Sequence, residues 1–350
     1  MEPSPDAEGS FGPDPNPVTA CLGEAPLIHE AVHGKPGHAD GCVAAPQVDT
    51  GSRTSALKQG GNLVRFWELL GRPVFEMNGV WWGHHRGPFY TSLPFQLQLD
   101  ITPEEAQEVL RKARIWGLSF PSQRPGLPGG HYFIRPEAYD LTSVSRKQRG
   151  HVTQGLADCE IRVLDEEELL LKGLPLNKET LHRQSREDAT FLDPAKWKAF
   201  VRAVGRCPGM TIHGAFVDGR LATYLISCRD GQWLHLLYKM STRVDREYHP
   251  DHALDFSIIR DAAADPGIWF IGNGTTSILP NEGLDRYKRQ LGYQLQPHNL
   301  SIHFHPWLAS MLGTTVAVSL AQRAQTRFPA HSHLAYYTRI LEGALISRTP

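Results

Sequence analysis

TIHGAFVDGRLATYLISCRDGQWLHLLYKM, residues 211–240, decides the fold. Two Asp-Gly pairs, Asp218-Gly219 and Asp230-Gly231, interrupt three runs of alternating apolar residues. Tight primed turns need positive φ, which Gly and Asp adopt most readily, so the stretch predicts antiparallel strands at about 211–217, 220–228 and 232–240. Downstream the period changes. Pro250 opens PDHALDFSIIRDAA, with Leu254, Ile258 and Ile259 on one helical face. GIWFIG (267–272) reads as a short buried strand. Asn281 caps a further helix in NEGLDRYKRQLGY (281–293), with Glu282 and Asp285 in the first turn, where the helix dipole favours anions. Gly292 ends it and YQLQ resumes an extended pattern. The order is a meander, then helix, strand, helix, strand.

Working outward, EIRVL (160–164) is a strand and DEEELLLKGL begins a helical region. Asp193-Pro194 caps WKAFVRAVG, whose Trp197, Phe200, Val201 and Val204 share a face. Further upstream, NLVRFWELLG is an amphipathic helix and PVFEMNGVWWGHHRGPFYTSL a hairpin turning at Asn78-Gly79. Thr102-Pro103-Glu104-Glu105 is a capping box that opens TPEEAQEVLRKARIWG. PSQRPGLPGG reads as a loop before the strand HYFIRP. At the other end, PWLASMLGTTVAVSLAQRA predicts a helix or helix pair and YYTRILEGALI a terminal helix.

The set from residue 155 to 305, with Gly283, Leu284, Tyr287, Lys288, Gly292 and Tyr293 in the last helix, resembles the acyltransferase fold of GNAT N-acetyltransferases and of Fem-type aminoacyl-tRNA-dependent transferases. Residues 62–140 mix helices and strands in an order similar to a degenerate first copy of that fold. The resemblance thus implies an α/β protein with two tandem GNAT-like halves, at 61–150 and 151–350, after a tail at 1–60. It implies an enzyme that moves an acyl or aminoacyl group from acyl-coenzyme A or aminoacyl-tRNA to an amine on a small molecule or peptide, with no tightly bound cofactor. Lys288 would stabilise the oxyanion and Tyr287 would support it or protonate the leaving group. Asn273, in IGNGTTSILPNEG, would hydrogen-bond the acyl group or acceptor, as would Thr275 and Thr276. Donor contacts would come from Tyr238 and Lys239 at the end of the fourth strand, and from Arg243, Arg246, His249 and His252 after it. The basic cluster Arg146, Lys147 and Arg149 would add phosphate contacts. One departure bears on coenzyme A: the loop STRVDREYHPDHA carries no glycine, and Pro250 lacks an N–H. A binding module that keeps the fold without catalysis is the rival reading.

Composition narrows the field. Thirty-six Lys and Arg against thirty-seven Asp and Glu create no global field for DNA or membrane. No apolar run is long enough for a bilayer span, and the acidic MEPSPDAEGS has no signal-like apolar core, so a cytoplasmic protein is expected. Cys21, Cys42, Cys159, Cys207 and Cys228 are odd in number and without CxxC spacing, which fits reduced thiols. Residues 1–60 are rich in Pro and Gly with Phe11 as their only aromatic, a composition that predicts disorder. His29, His33 and His38 there are irregularly spaced, and His303 and His305 would share a strand face near His298, His331 and His333. The tail histidines lack a ligand spacing, the strand histidines have no carboxylate or cysteine at ligand spacing nearby, and no metal is expected.

Overall fold

The structure is a computed structural model and describes residues 61–184, 186–328 and 331–348. The tail reading, with its histidines, lies outside these residues. The first helix, α1 (Gly61–Leu69), leads into the hairpin β1 (Val74–Met77) and β2 (Val80–Arg86), then β3 (Phe89–Leu93). Asn78 and Gly79 both take positive φ, as a two-residue primed turn requires. Helix α2 (Pro103–Ala113) starts on the expected capping box: Glu105 N–H donates to Thr102 Oγ1, and Thr102 N–H to the Glu105 carboxylate. Strands β4 (Gly117–Ser122) and β5 (Leu127–Ile134) follow, then α3 (Arg146–Asp158), β6 (Glu160–Val163), α4 (Glu166–Arg183), α5 (Ala189–Leu192) and α6 (Pro194–Arg206).

The deciding stretch forms the meander β7 (Met210–Val217), β8 (Arg220–Asp230) and β9 (Trp233–Ser241). After a 3-10 turn (Arg246–Tyr248) come α7 (Pro250–Ala263), β10 (Phe270–Thr275), α8 (Glu282–Gln290), β11 (Gln294–Phe304), α9 (Pro306–Leu312), α10 (Thr315–Arg327) and α11 (Ser332–Ile346). No described helix is long and apolar enough to cross a membrane.

All eleven strands form one sheet, in the order β1-β2-β3-β4-β11-β5-β10-β9-β8-β7-β6. Only β3–β4 and β9–β10 pair in parallel. The last strand, β11, lies between β4 and β5, so the two ends of the chain share one hydrogen-bonded ladder. Alternation of side chains sends the sheet's two faces to different cores. On one face, α3, α7 and α8 cover β5 and β7–β10 through Leu225, Leu254, Ile259, Ile271 and Leu291, while α2 covers β4. On the other, α1, α4 and α6 cover β8 and β9 through Phe66, Trp197, Phe200, Ile226 and Tyr238. Helix α11 covers β5 and β11 on that same face through Ile340 and Ala344.

Three expectations change. PSQRPGLPGG is a loop only at 123–126, and the rest supplies the end of β4 and the start of β5. Its glycines serve close packing, since a Cβ on Gly126 would lie 2.5 Å from Leu300 O and one on Gly130 2.9 Å from Gln296 O, both on β11. The strand expected at 267–272 is displaced to Phe270–Thr275, because Trp269 turns outward and is 53% exposed. The helical region expected to begin at DEEELLLKGL does so, and runs on through Pro175 to Arg183. His305 lies beyond β11, at the start of α9, while His303 is buried and stacks on Phe120 with ring centroids 5.6 Å apart, so the two do not form a pair on one strand face.

Phe200 is the hub of the aromatic core. It meets Phe66, Phe191 and Tyr238 edge-on and stacks on Trp197, all with centroids 5.0–5.9 Å apart. Phe200→Ala should lower stability by about 3–5 kcal/mol in denaturant unfolding. A loss under about 1 kcal/mol would mean that the cluster does not act as one packed unit.

Candidate functional site

Strands β9 and β10 pair at only three positions, Trp233 with Phe270, Leu234 with Ile271 and His235 with Gly272. Beyond them the strands part. On its other side β9 meets β8 with a bulge: Ile226 pairs Tyr238 and Ser227 pairs Leu236, leaving Leu237 unopposed. A bulge bends its strand and sharpens the local twist, which carries the end of β9 away from β10. Meanwhile β10 turns to β5, where Ile271 and Gly272 pair Ile134 and Phe133 before the register shifts to Thr275 and His131. The result is a V-shaped opening between Leu236 and Gly274.

A cavity of about 160 Å³ lies at this opening, between the strands and helix α11. Phe89, Phe95, Leu127, Leu237 and Ile340 give it apolar walls. Its polar lining is dominated by three buried histidines from three strands: His131 (β5), His235 (β9) and His298 (β11). Both ring nitrogens of His131, Nε2 of His235 and Nδ1 of His298 are buried without a hydrogen-bond partner among the described residues. Unpaired buried nitrogens are costly and call for a partner from outside the chain. Burial drives the basicity of all three down, His235 and His298 to about 4 and His131 well below the ordinary value, so all are neutral at pH 7. Gly272 makes the arrangement possible, because a Cβ there would stand 2.9 Å from His131 Nε2 and 3.4 Å from His235 Nδ1.

Behind β10, on the face covered by α7 and α8, sits a second polar group. Lys239 Nζ donates to Asp255 Oδ2 (2.9 Å) and to the Tyr287 hydroxyl (3.3 Å), and that hydroxyl donates to Asp255 Oδ2 at 2.8 Å. Asp255 is 1% exposed. Burial opposes the charge on Lys239, yet Asp255 and Asp251 outweigh it and hold its pKa above the ordinary lysine value. Burial together with the Asp255 and Asp251 carboxylates raises Tyr287 far above a free phenol. Lys288 is 2% exposed, and its Nζ donates to Asn273 O at 2.6 Å, at the residue where β10 leaves β9. Burial brings its pKa down to about 8.

The structure thus brings Tyr287, Lys288, Asn273, Lys239 and, through a ring contact of 5.3 Å to Tyr287, His252 together. His249, at the start of α7, meets His252 edge-on. Tyr238 is elsewhere: the bulge turns it to the opposite face, into the core around Phe200. Arg243 and Arg246 are exposed on the loop after β9. Arg146 is exposed at the start of α3, whereas Arg149 donates to the carbonyls of Val144 and Thr142 and so ties down the preceding turn. Thr275 and Thr276 line the cavity, and Thr276 Oγ1 accepts from Gly130 N–H. Reading by motif passed over His131 and His235. Their one signal is a histidine set within an apolar strand, in HYFI and WLHLLY.

No protein-family model matches the chain, and neither does any curated sequence. Solved structures do match. FemX superposes with a TM-score of 0.50 at 12% identity, over 70% of this chain and 94% of FemX. L-PGS from Bacillus licheniformis gives 0.51 at 11% identity, over 85% of this chain and 96% of that one. The chain shares the fold of FemX and of L-PGS. At such identities the likeness is one of fold, and the chemistry must be argued from the residues.

Lys288 provides a pH test. An unfolded chain protonates this lysine up to about pH 10.4 while the folded chain releases the proton near 8, so stability must rise with pH inside that window. Raising the pH from 7 to 10 should stabilise the protein relative to Lys288→Met by up to about 3 kcal/mol, read from paired unfolding curves. Parallel pH profiles for the two proteins would show that Lys288 titrates as an ordinary lysine.

Proposed function

We propose that this chain transfers an acyl or aminoacyl group from an activated ester or thioester to an amine. The observation that carries the reading is the parting of β9 from β10, with a histidine-lined cavity on one side of the opening and Lys288 on the other. A carbonyl placed in the opening meets backbone groups of β9 that have no β10 partner, and the Lys288 ammonium, which uses one of its three donors on Asn273 O. Charge appearing on that carbonyl oxygen as the amine attacks is stabilised there. The new C–N bond forms, the bond to the leaving oxygen or sulfur breaks, and the amine proton passes to a neutral imidazole of His131 or His235, which hands it on to the leaving atom. Tyr287 is held by Asp255 and acts as support for Lys239 and Asp255, since its proton is bound too tightly to be given up easily.

The start of α7 favours an aminoacyl ester over coenzyme A as donor. Pro250 removes one N–H from this helix terminus, and Asp251 already places a carboxylate in the first turn, accepting from Thr223 Oγ1 at 3.0 Å. A pyrophosphate approaching that terminus meets an anion in the place where the dipole would hold it.

The test uses hydroxylamine as a small surrogate amine, with labelled aminoacyl-tRNA and acyl-coenzyme A pools as donors. Protein-dependent hydroxamate formation is expected with aminoacyl-tRNA, and Lys288→Met should slow it about 10²–10³-fold without unfolding the protein. Rates no higher than those of Lys288→Met with either donor pool would overturn the reading and leave the fold as a binding module.

A further inference from the structure

We propose that His151, His249 and His252 form a binding site for a divalent transition metal, with zinc as the fitting ion and one coordination position left open. No sequence spacing announces it, because His151 comes from α3 and the other two flank the start of α7 almost a hundred residues later. Folding brings one ligand atom of each ring within 4.8 Å of the others, the only such set of three among the described residues. The ring centroids of His151 and His249 lie 4.0 Å apart, with His252 at 5.2 and 5.6 Å from them. Zinc–nitrogen bonds of about 2.0–2.1 Å in a tetrahedron put ligand nitrogens roughly 3.4 Å apart, so the His151 and His249 rings, stacked 21° from parallel, must turn about their side-chain torsions to aim a lone pair each at one ion.

Three features of the fold hold this arrangement. Gly155, one turn after His151, lets α3 ride against the turn before α7: a Cβ there would lie 2.6 Å from His249 O and 2.9 Å from the Ala253 Cβ. His249 adopts the left-handed conformation (φ 51°, ψ 43°) at the N-cap of α7, and its side chain makes no capping hydrogen bond. A non-glycine residue in that region carries strain, and the imidazole held there stacks on His151. The third feature is a supporting shell. His151 Nδ1 is 2.8 Å from Gln148 Oε1, and Gln148 Nε2 donates to Gln290 Oε1 at 2.7 Å. When His151 carries its proton on Nδ1, that bond fixes the ring and leaves Nε2 with its lone pair, which is the usual second-shell device at metal-bound histidines.

The chemistry of the set selects the ion. Three imidazoles without a thiolate or a bound carboxylate suit zinc, nickel, cobalt or copper and are poor ligands for magnesium or calcium. All three rings are half-buried, which shields the set from bulk water without closing it off. Of the charged groups around them, Asp251 and Asp158 favour a cation, while Arg246 and Lys239 oppose it. The cavity histidines do not compete for this role, because His131, His235 and His298 are not brought within a shared ligand distance.

The experiment takes the full-length protein, strips it with chelator and titrates zinc by calorimetry, with cobalt as a visible probe of tetrahedral coordination. His249→Asn keeps the left-handed turn, which Asn tolerates, and His252→Ala removes a second ligand. Both are compared with wild type after far-UV circular dichroism confirms the metal-free fold. Wild type should bind one more equivalent than either variant, show the cobalt band, and gain thermal stability with zinc. Gln148→Leu should keep the equivalent but weaken it about 10–100-fold. Histidines in residues 1–60 are common to every protein compared, so their binding cancels. Equal stoichiometry and affinity in wild type and both ligand variants, or no zinc bound by wild type, would overturn the proposal.

Discussion

Three residue pairs between β9 and β10 set the terms for the rest of the molecule. A sheet of eleven strands gains most of its backbone hydrogen bonds from long ladders, yet at its centre the ladder stops after His235 and Gly272. The bulge at Leu237 makes this a built feature, because it turns β9 away while β10 is drawn to β5. Each face is covered by helices that bury apolar side chains on either side of the opening. Without those helices the unpaired backbone of β9 would face water along its whole length. With them it faces a small cavity.

Around this opening the protein places groups whose burial is unfavourable by itself. Asp255 is buried and paired with Lys239 and Tyr287, which is the condition under which an internal charge is tolerated. Lys288 has a backbone carbonyl and the face of Tyr132, with its ammonium 4.6 Å from the ring centre, but no carboxylate within salt-bridge distance among the described residues. The three cavity histidines escape the penalty by staying neutral. A core chosen for stability alone would fill these positions with apolar residues.

The sequence disclosed the meander well, since Asp218-Gly219 and Asp230-Gly231 are local signals that depend on the turn backbone alone. The capping box at Thr102 and the cap at Asn281 were legible for the same reason. Lys288 and Tyr287 stood out because they fall in the Gly283–Tyr293 pattern that carries the resemblance. What stayed hidden was set by pairing across the chain. Gly126 and Gly130 look like loop residues until β11 lies against them. His131, His235 and His298 come from three strands whose adjacency is a matter of sheet order, and His151 meets His249 only because Gly155 permits a close helix crossing. Nor could alternation assign Tyr238 to a face, as a single extra residue at Leu237 reverses it.

The position of β11 has a consequence for how the chain acquires its shape. Strands β4 and β5 are nearly consecutive in sequence, yet a gap one strand wide separates them until residues 294–304 arrive. During synthesis, at about 5–20 residues per second, that interval lasts roughly 10–30 s. Throughout it both strands present open edges of the kind that recruit other chains. Non-local pairing of this sort also places the molecule among the slower folders, since the loop must close before the ladder rewards it. Fusions or truncations that remove the last strand would therefore leave not a smaller domain but a cleft sheet, exposed at its middle.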